Sequence, residues 1–110
     1  MKKKLTTEED YRLRVDRVCM YIREHLDKEI DMRRLAVLSA FSPFHFHRIM
    51  RAYLKEPIGA FIIRTRVETA AKLLRYTDLP VADIAYRVGY DTPSSLTKSF
   101  CKLFGISPKM

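Results

Sequence analysis

The side chains that could do chemistry in this chain are few, and most of them are bases. His45 and His47 form a His-x-His pair, an arrangement that raises the question of a metal. On a helix, positions i and i+2 point about 200° apart, so the two imidazoles cannot close on one ion. Cys19 and Cys101 each stand outside any Cys-x-x-Cys spacing. In a cytosolic chain isolated cysteines are free thiols more often than a disulfide or zinc pair. No HExxH, P-loop, GxGxxG or nucleophile elbow is present. Catalysis is therefore not expected, and neither a cofactor nor a metal is.

What remains is two sets of cations with small polar or aromatic neighbours. At about 100° per residue, Phe46, Ile49, Met50 and Tyr53 fall on one side of a helix over Pro43–Leu54. Phe44, His47, Arg48, Arg51 and Lys55 fall on the other. An outward arginine at Arg48 has the fork that pairs with guanine O6 and N7. Arg51, nearer a groove wall, suits phosphate. Phe44, among those bases, suits a thymine methyl or a sugar. A second helix, over Pro93–Phe104, has Leu96, Phe100, Leu103 and Phe104 at the spacing of a buried stripe. Its other face carries Ser94, Lys98, Cys101 and Lys102, with Ser95 and Thr97 at the flanks. Small hydroxyls beside a lysine suit close approach to base edges and phosphates. On their own they suit a solvated surface equally well.

The elements that position these faces have a common plan. Ile84, Ala85 and Val88 make a short amphipathic run that breaks at Gly89, and the helix over 93–104 follows. Two short helices joined by a tight glycine-containing turn have the form of a helix-turn-helix, whose second helix enters the DNA major groove. The same order runs from Leu35 to Leu54. Asp31 is placed to cap a helix through Leu38; Ala40, Phe41 and Ser42 make the turn; Ser42 before Pro43 reads as a helix start. Leu35 and Ala36 match Ile84 and Ala85, Phe41 matches Tyr90, and Ser42 matches Asp91. Beyond a one-residue insertion Phe46 matches Leu96, Arg48 matches Lys98, Met50 matches Phe100, and Leu54 matches Phe104. A purely structural repeat explains the apolar matches but not the retained outward cation.

Upstream, Val15, Val18, Cys19, Ile22 and Leu26 mark an amphipathic helix from about Glu9 to Leu26. Between the two motifs a long helix runs from Ile58 to Tyr76. Nineteen residues span roughly 30 Å, close to the roughly 34 Å turn of B-DNA, so it could hold the motifs about a groove repeat apart. The chain thus divides into a basic arm at 1–8, a first helix-turn-helix subdomain at 9–56, a linker helix at 57–76 and a second subdomain at 77–110. The fold class expected is all-α, with homeodomain-like three-helix units.

Composition agrees. The chain has 110 residues, with 21 Lys and Arg against 13 Asp and Glu, a formal charge of +8. Such a balance suits a polyanionic partner. No stretch approaches the roughly 18 apolar residues of a membrane span, and the basic start lacks a signal-peptide core, so a cytoplasmic location is expected. The competing reading is a basic helical domain that acts through protein partners or anionic membrane surfaces. It leaves the tandem turns unexplained.

RVETAAKLLRYTDLPVADIAYRVGYDTPSSLTKSFCKLFGISP resembles the C-terminal signature of the AraC/XylS family of bacterial transcription regulators, and LAVLSAFSPFHFHRIMRAYLKEPIGAFI extends the resemblance upstream. It covers roughly residues 9 to 108. The resemblance implies about seven helices in two helix-turn-helix subdomains joined by a long helix, each placing one helix in a successive major groove. By position it assigns Phe44, His47 and Arg48 to the first reading helix, and Pro93, Ser94, Ser95, Thr97 and Lys98 to the second. Lys55 stands where the family usually has glycine, and Pro93 where a polar residue is frequent. Double-stranded DNA and RNA polymerase are the partners implied. An effector-binding domain beyond Met110 is the further expectation.

Overall fold

A computed structural model describes residues 4–108. The start of the expected basic arm, residues 1–3, and the last two residues of the second subdomain lie outside them. Six helices follow in order: α1 (Thr7–Glu24), α2 (Met32–Ser39), α3 (Pro43–Leu54), α4 (Ile58–Tyr76), α5 (Val81–Arg87) and α6 (Pro93–Phe104). Among the described residues there is no strand, as the all-α reading requires. The count among them is six rather than the seven or so that the resemblance implies. No helix among the described residues is long and apolar enough to cross a membrane. The helices fall into two compact units, residues 1–24 with 30–58, and residues 25–29 with 59–110.

In the first unit α1 packs on α2 and α3, and α2 packs on α3. α1 starts at Thr7, so Thr7 and Glu8 of the expected arm are helical. The cause is a reciprocal cap: Glu9 N–H donates to Thr6 Oγ1 at 3.1 Å, and Thr6 N–H donates to Glu9 Oε1 at 3.0 Å. The hydrogen bond from the Thr6 backbone, then that with its side chain, holds the Glu9 carboxyl below its ordinary pKa. α1 buries Val15, Val18, Cys19 and Ile22, the stripe expected from periodicity. Leu26, read as part of that helix, lies past its end and is buried with the second unit's residues. Asp31 caps α2 by accepting from the Arg33 N–H at 2.9 Å. Leu35 and Ala36 of α2, Phe41 of the turn, and Phe46 and Met50 of α3 are all buried.

Two details of the first turn differ from the sequence reading. Ser42 precedes α3 in extended backbone, but its side chain makes no cap bond; its hydroxyl lies 3.2 Å from His45 Nδ1 instead. Ser39, unremarked in the sequence, is fully buried and fully used. Its Oγ donates to the Ala36 carbonyl at 2.6 Å and accepts from the Phe41 N–H at 3.0 Å, which shapes the turn. Ala40 adopts φ 60° and Lys55, ending α3, adopts φ 65°. Lys55 therefore takes the left-handed conformation that glycine would take more cheaply, and its N–H still closes on the Arg51 carbonyl at 2.9 Å.

In the second unit Val67 and Ala70 of α4, Ile84, Ala85 and Val88 of α5 and its cap, and Leu96 and Phe100 of α6 form one buried cluster. Tyr90 packs against it from the turn, and its match Phe41 is buried in the first unit. The start of α6 is capped by Thr92, whose Oγ1 accepts the Ser95 N–H at 3.1 Å, so Thr92 rather than Asp91 occupies the cap position of Ser42. Leu103 and Phe104 correct the expected stripe: both are 43% exposed. The last turn of α6 runs past the cluster, and Phe104 covers only the edge of Phe100, with ring centroids 4.7 Å apart.

Candidate nucleic-acid interface

In the first unit the outward face of α3 is built by the burial of the opposite one. Phe46 and Met50 anchor the helix, Ile49 and Tyr53 are half-buried, and Phe44, His47, Arg48 and Arg51 are left in solvent. Phe44 is 95% exposed, more than any other large apolar side chain described. A phenylalanine so placed contributes nothing to the unit's own core. His47 lies at the edge of the face, its ring 5.2 Å from that of Phe46. Arg48 reaches toward the turn, where it lines a small niche with Ser42, His45 and Phe41.

In the second unit Ser94, Ser95, Lys98 and Lys102 of α6 are exposed and Pro93 is half-buried. Thr97 is half-buried too, so it sits at the margin of the face rather than within it. The Ser95 hydroxyl accepts from Thr92 Oγ1 at 3.0 Å as part of the cap, which leaves its own proton available to donate. Cys101 is exposed on the same face, at the place Arg51 holds on α3.

Among the described residues these cations carry no carboxylate partner, in contrast to some on other faces. Arg12, Arg14 and Arg64 each pair with a carboxylate one turn away. Among the described residues no carboxylate lies within ion-pair distance of Arg48, Arg51, Lys98 or Lys102. Charges left uncompensated along one helix face raise the local potential and favour an anion. No group of three His, Cys, Asp or Glu among the described residues is placed to hold a metal.

Sequence reasoning missed the residues that hold the first turn. Arg14 of α1 donates from Nε to the Ser39 carbonyl at 2.9 Å and from Nη2 to the Ala40 carbonyl, while Nη1 meets Asp10 Oδ2 at 3.1 Å. Arg66 of α4 stands at the matching place, followed by Val67 as Arg14 is by Val15. It lies against Gly89 and donates from Nη2 to the Lys28 carbonyl at 3.0 Å.

Two three-helix units, each ending in a helix with unpaired outward cations, define a tandem helix-turn-helix protein of the nucleic-acid-binding kind. A family model described as a helix-turn-helix domain matches residues 35–110. The HTH-type transcriptional activator AarP of Providencia stuartii is 31% identical over 96 residues, 87% of this chain and 71% of AarP. The uncharacterized HTH-type transcriptional regulator YbfP of Bacillus subtilis is 31% identical over 98 residues, 89% of this chain and 33% of that protein. Among solved structures, the DNA-binding domain of AdpA in complex with a target DNA matches with a TM-score of 0.79 at 30% identity. It covers 86% of this chain and 85% of its own. The C-terminal domain of AraT, a response regulator from Geobacillus stearothermophilus, matches with a TM-score of 0.78 at 31% identity over 96% of this chain and 84% of its own. The chain belongs to the AraC-type helix-turn-helix family. It spans a third of YbfP, 33%, and 32% of the F1 operon positive regulatory protein of Yersinia pestis.

Proposed function

We propose that this chain binds double-stranded DNA sequence-specifically and regulates transcription, with α3 and α6 entering successive major grooves of one site. The observation that carries this reading is the repeat of an unpaired outward cation, Arg48 and Lys98, on matched helices of two separately packed units. Phe44, His47, Arg48 and Arg51 are the contacts of the first half-site, and Ser94, Ser95, Thr97, Lys98 and Lys102 those of the second. Arg48 reads a base; Arg51 and Lys102 meet phosphate. The AdpA domain, seen with its target DNA, supports the assignment by likeness of fold and sequence. No catalytic step is assigned to the chain. RNA polymerase is the expected protein partner, the cytoplasm the expected location, and an effector-binding domain following in the longer regulator the expected companion.

The test is affinity for a duplex selected from random sequence, for scrambled duplexes and for anionic vesicles, across a salt series. If about six phosphates are neutralised, log K falls with log salt at a slope near −5. Binding to vesicles but not to DNA, or an affinity for DNA indifferent to salt, overturns the reading in favour of a membrane-surface or protein-binding domain.

A further inference from the structure

The last turn of α2 carries no basic residue of its own; Ser39 Oγ takes the Ala36 carbonyl and the Ala40 N–H the Val37 carbonyl, which leaves the Leu38 and Ser39 carbonyls to donors from outside the helix. α1 supplies the missing donors. Arg14 takes the carbonyls of Ser39 and Ala40 with two guanidinium nitrogens, and Asp10 holds the third. The same guanidinium lies 4.3 Å from the centre of the Phe41 ring. Arg17, one turn on, reaches the Leu38 carbonyl at 3.5 Å. Ser39, Ala40 and Phe41 are the turn from which α3 departs, and Ala40 is held in the left-handed region without being glycine. A fork of fixed geometry grips both the carbonyls and the ring face of that turn, which a single ammonium cannot do.

We infer that Arg14 is a positioning residue for DNA reading, fixing the direction in which α3 leaves the turn and hence the aim of Arg48 and Arg51. This rests on the DNA-binding reading above. Small errors at the turn grow along the helix: Arg51 lies about 12 Å beyond Pro43, so a tilt of roughly 10° moves its backbone by about 2 Å. Hydrogen bonds to base edges work only between about 2.7 and 3.2 Å, so such a shift removes them. α6 starts from its own turn in the second unit and does not depend on Arg14.

The experiment uses the full chain, a selected duplex, and two further duplexes in which the base pairs facing α3 or those facing α6 are replaced. With Arg14→Met, discrimination at the α3 half-site falls by about tenfold while that at the α6 half-site is kept, at a temperature where circular dichroism shows the variant folded. Arg14→Lys, which retains charge and stem, serves if the methionine variant does not fold, and it loses about threefold at the same half-site. A folded variant that keeps full discrimination at both half-sites, or loses it equally at both, overturns the inference. Wild-type protein that discriminates at neither half-site overturns the DNA-reading proposal itself, a result separate from any effect of Arg14.

Discussion

Gly89 and Gly105 offer a comparison in which backbone strain and steric collision come apart. Both have positive φ, 100° and 74°, and both end the helical part of a turn. A β-carbon added at Gly105 meets nothing within 4 Å, so Gly105→Ala tests conformation alone. The left-handed penalty for an alanine is about 1–2 kcal/mol. The stiffer unfolded chain returns about 0.4–1 kcal/mol of it. A net loss of about 1 kcal/mol is expected. At Gly89 the same β-carbon falls 2.0 Å from the Leu26 carbonyl oxygen and 2.7 Å from Arg66 Nε. The arginine could swing aside, but the carbonyl is backbone and must be pushed away. Overpacking of that kind adds about 1–3 kcal/mol. Gly89→Ala is thus expected to cost about 2–4 kcal/mol, and to loosen the second unit. Urea denaturation of both variants, followed by circular dichroism, measures the difference. Equal losses within about 0.5 kcal/mol would show that residues 25–29 do not press on the turn as described.

Lys55→Gly relieves a lysine held at φ 65° and should raise stability by about 0.5–1 kcal/mol in the same assay; a loss would mean the lysine side chain has a role in the fold. Phe100→Ala removes the largest side chain of the second unit's cluster and should cost about 3–5 kcal/mol, whereas a loss below about 1 kcal/mol would mean that cluster is misdescribed. Arg48→Ala should cost about 1–3 kcal/mol on the selected duplex and flatten preference at one base pair, while Arg51→Ala weakens all duplexes alike and lowers the salt slope by about one. Equal weakening on selected and scrambled duplexes by Arg48→Ala would reduce α3 to a backbone clamp. Burial pushes the Cys19 thiol above its ordinary pKa, so at neutral pH a thiol reagent should modify exposed Cys101 first. Bound DNA should protect Cys101; modification at an unchanged rate would take α6 out of the groove.

The fold was legible because its signals are local and repeated. Six helices stand where apolar spacing, Asp31, Pro43 and Gly89 place them, with ends off by two residues only in α1. That error had a visible cure, since Thr6 and Glu9 have the spacing of a reciprocal cap. Leu103 and Phe104 were misjudged because a helical wheel records direction and not how far the partner surface extends. The positive φ of Ala40 carries no signature in its residue type, and Lys55 is marked only by standing where the family usually has glycine; their recurrence at matched places in both units gives them meaning. Ala40 answers to Gly89, and Lys55 to Gly105. In the second unit both places hold the residue that adopts the conformation without strain. In the first, neither does, so other contacts must hold that turn, and Arg14, Asp10 and Ser39 are the residues that make them. Bonds spanning 25 residues leave no periodic trace. The outward face of α3 could be read from spacing, whereas the device that aims it is a tertiary bond from α1. If that is its purpose, Ala40→Gly in the Arg14→Met background should leave the turn less strained and α3 still poorly aimed, because glycine restores conformation but not the grip.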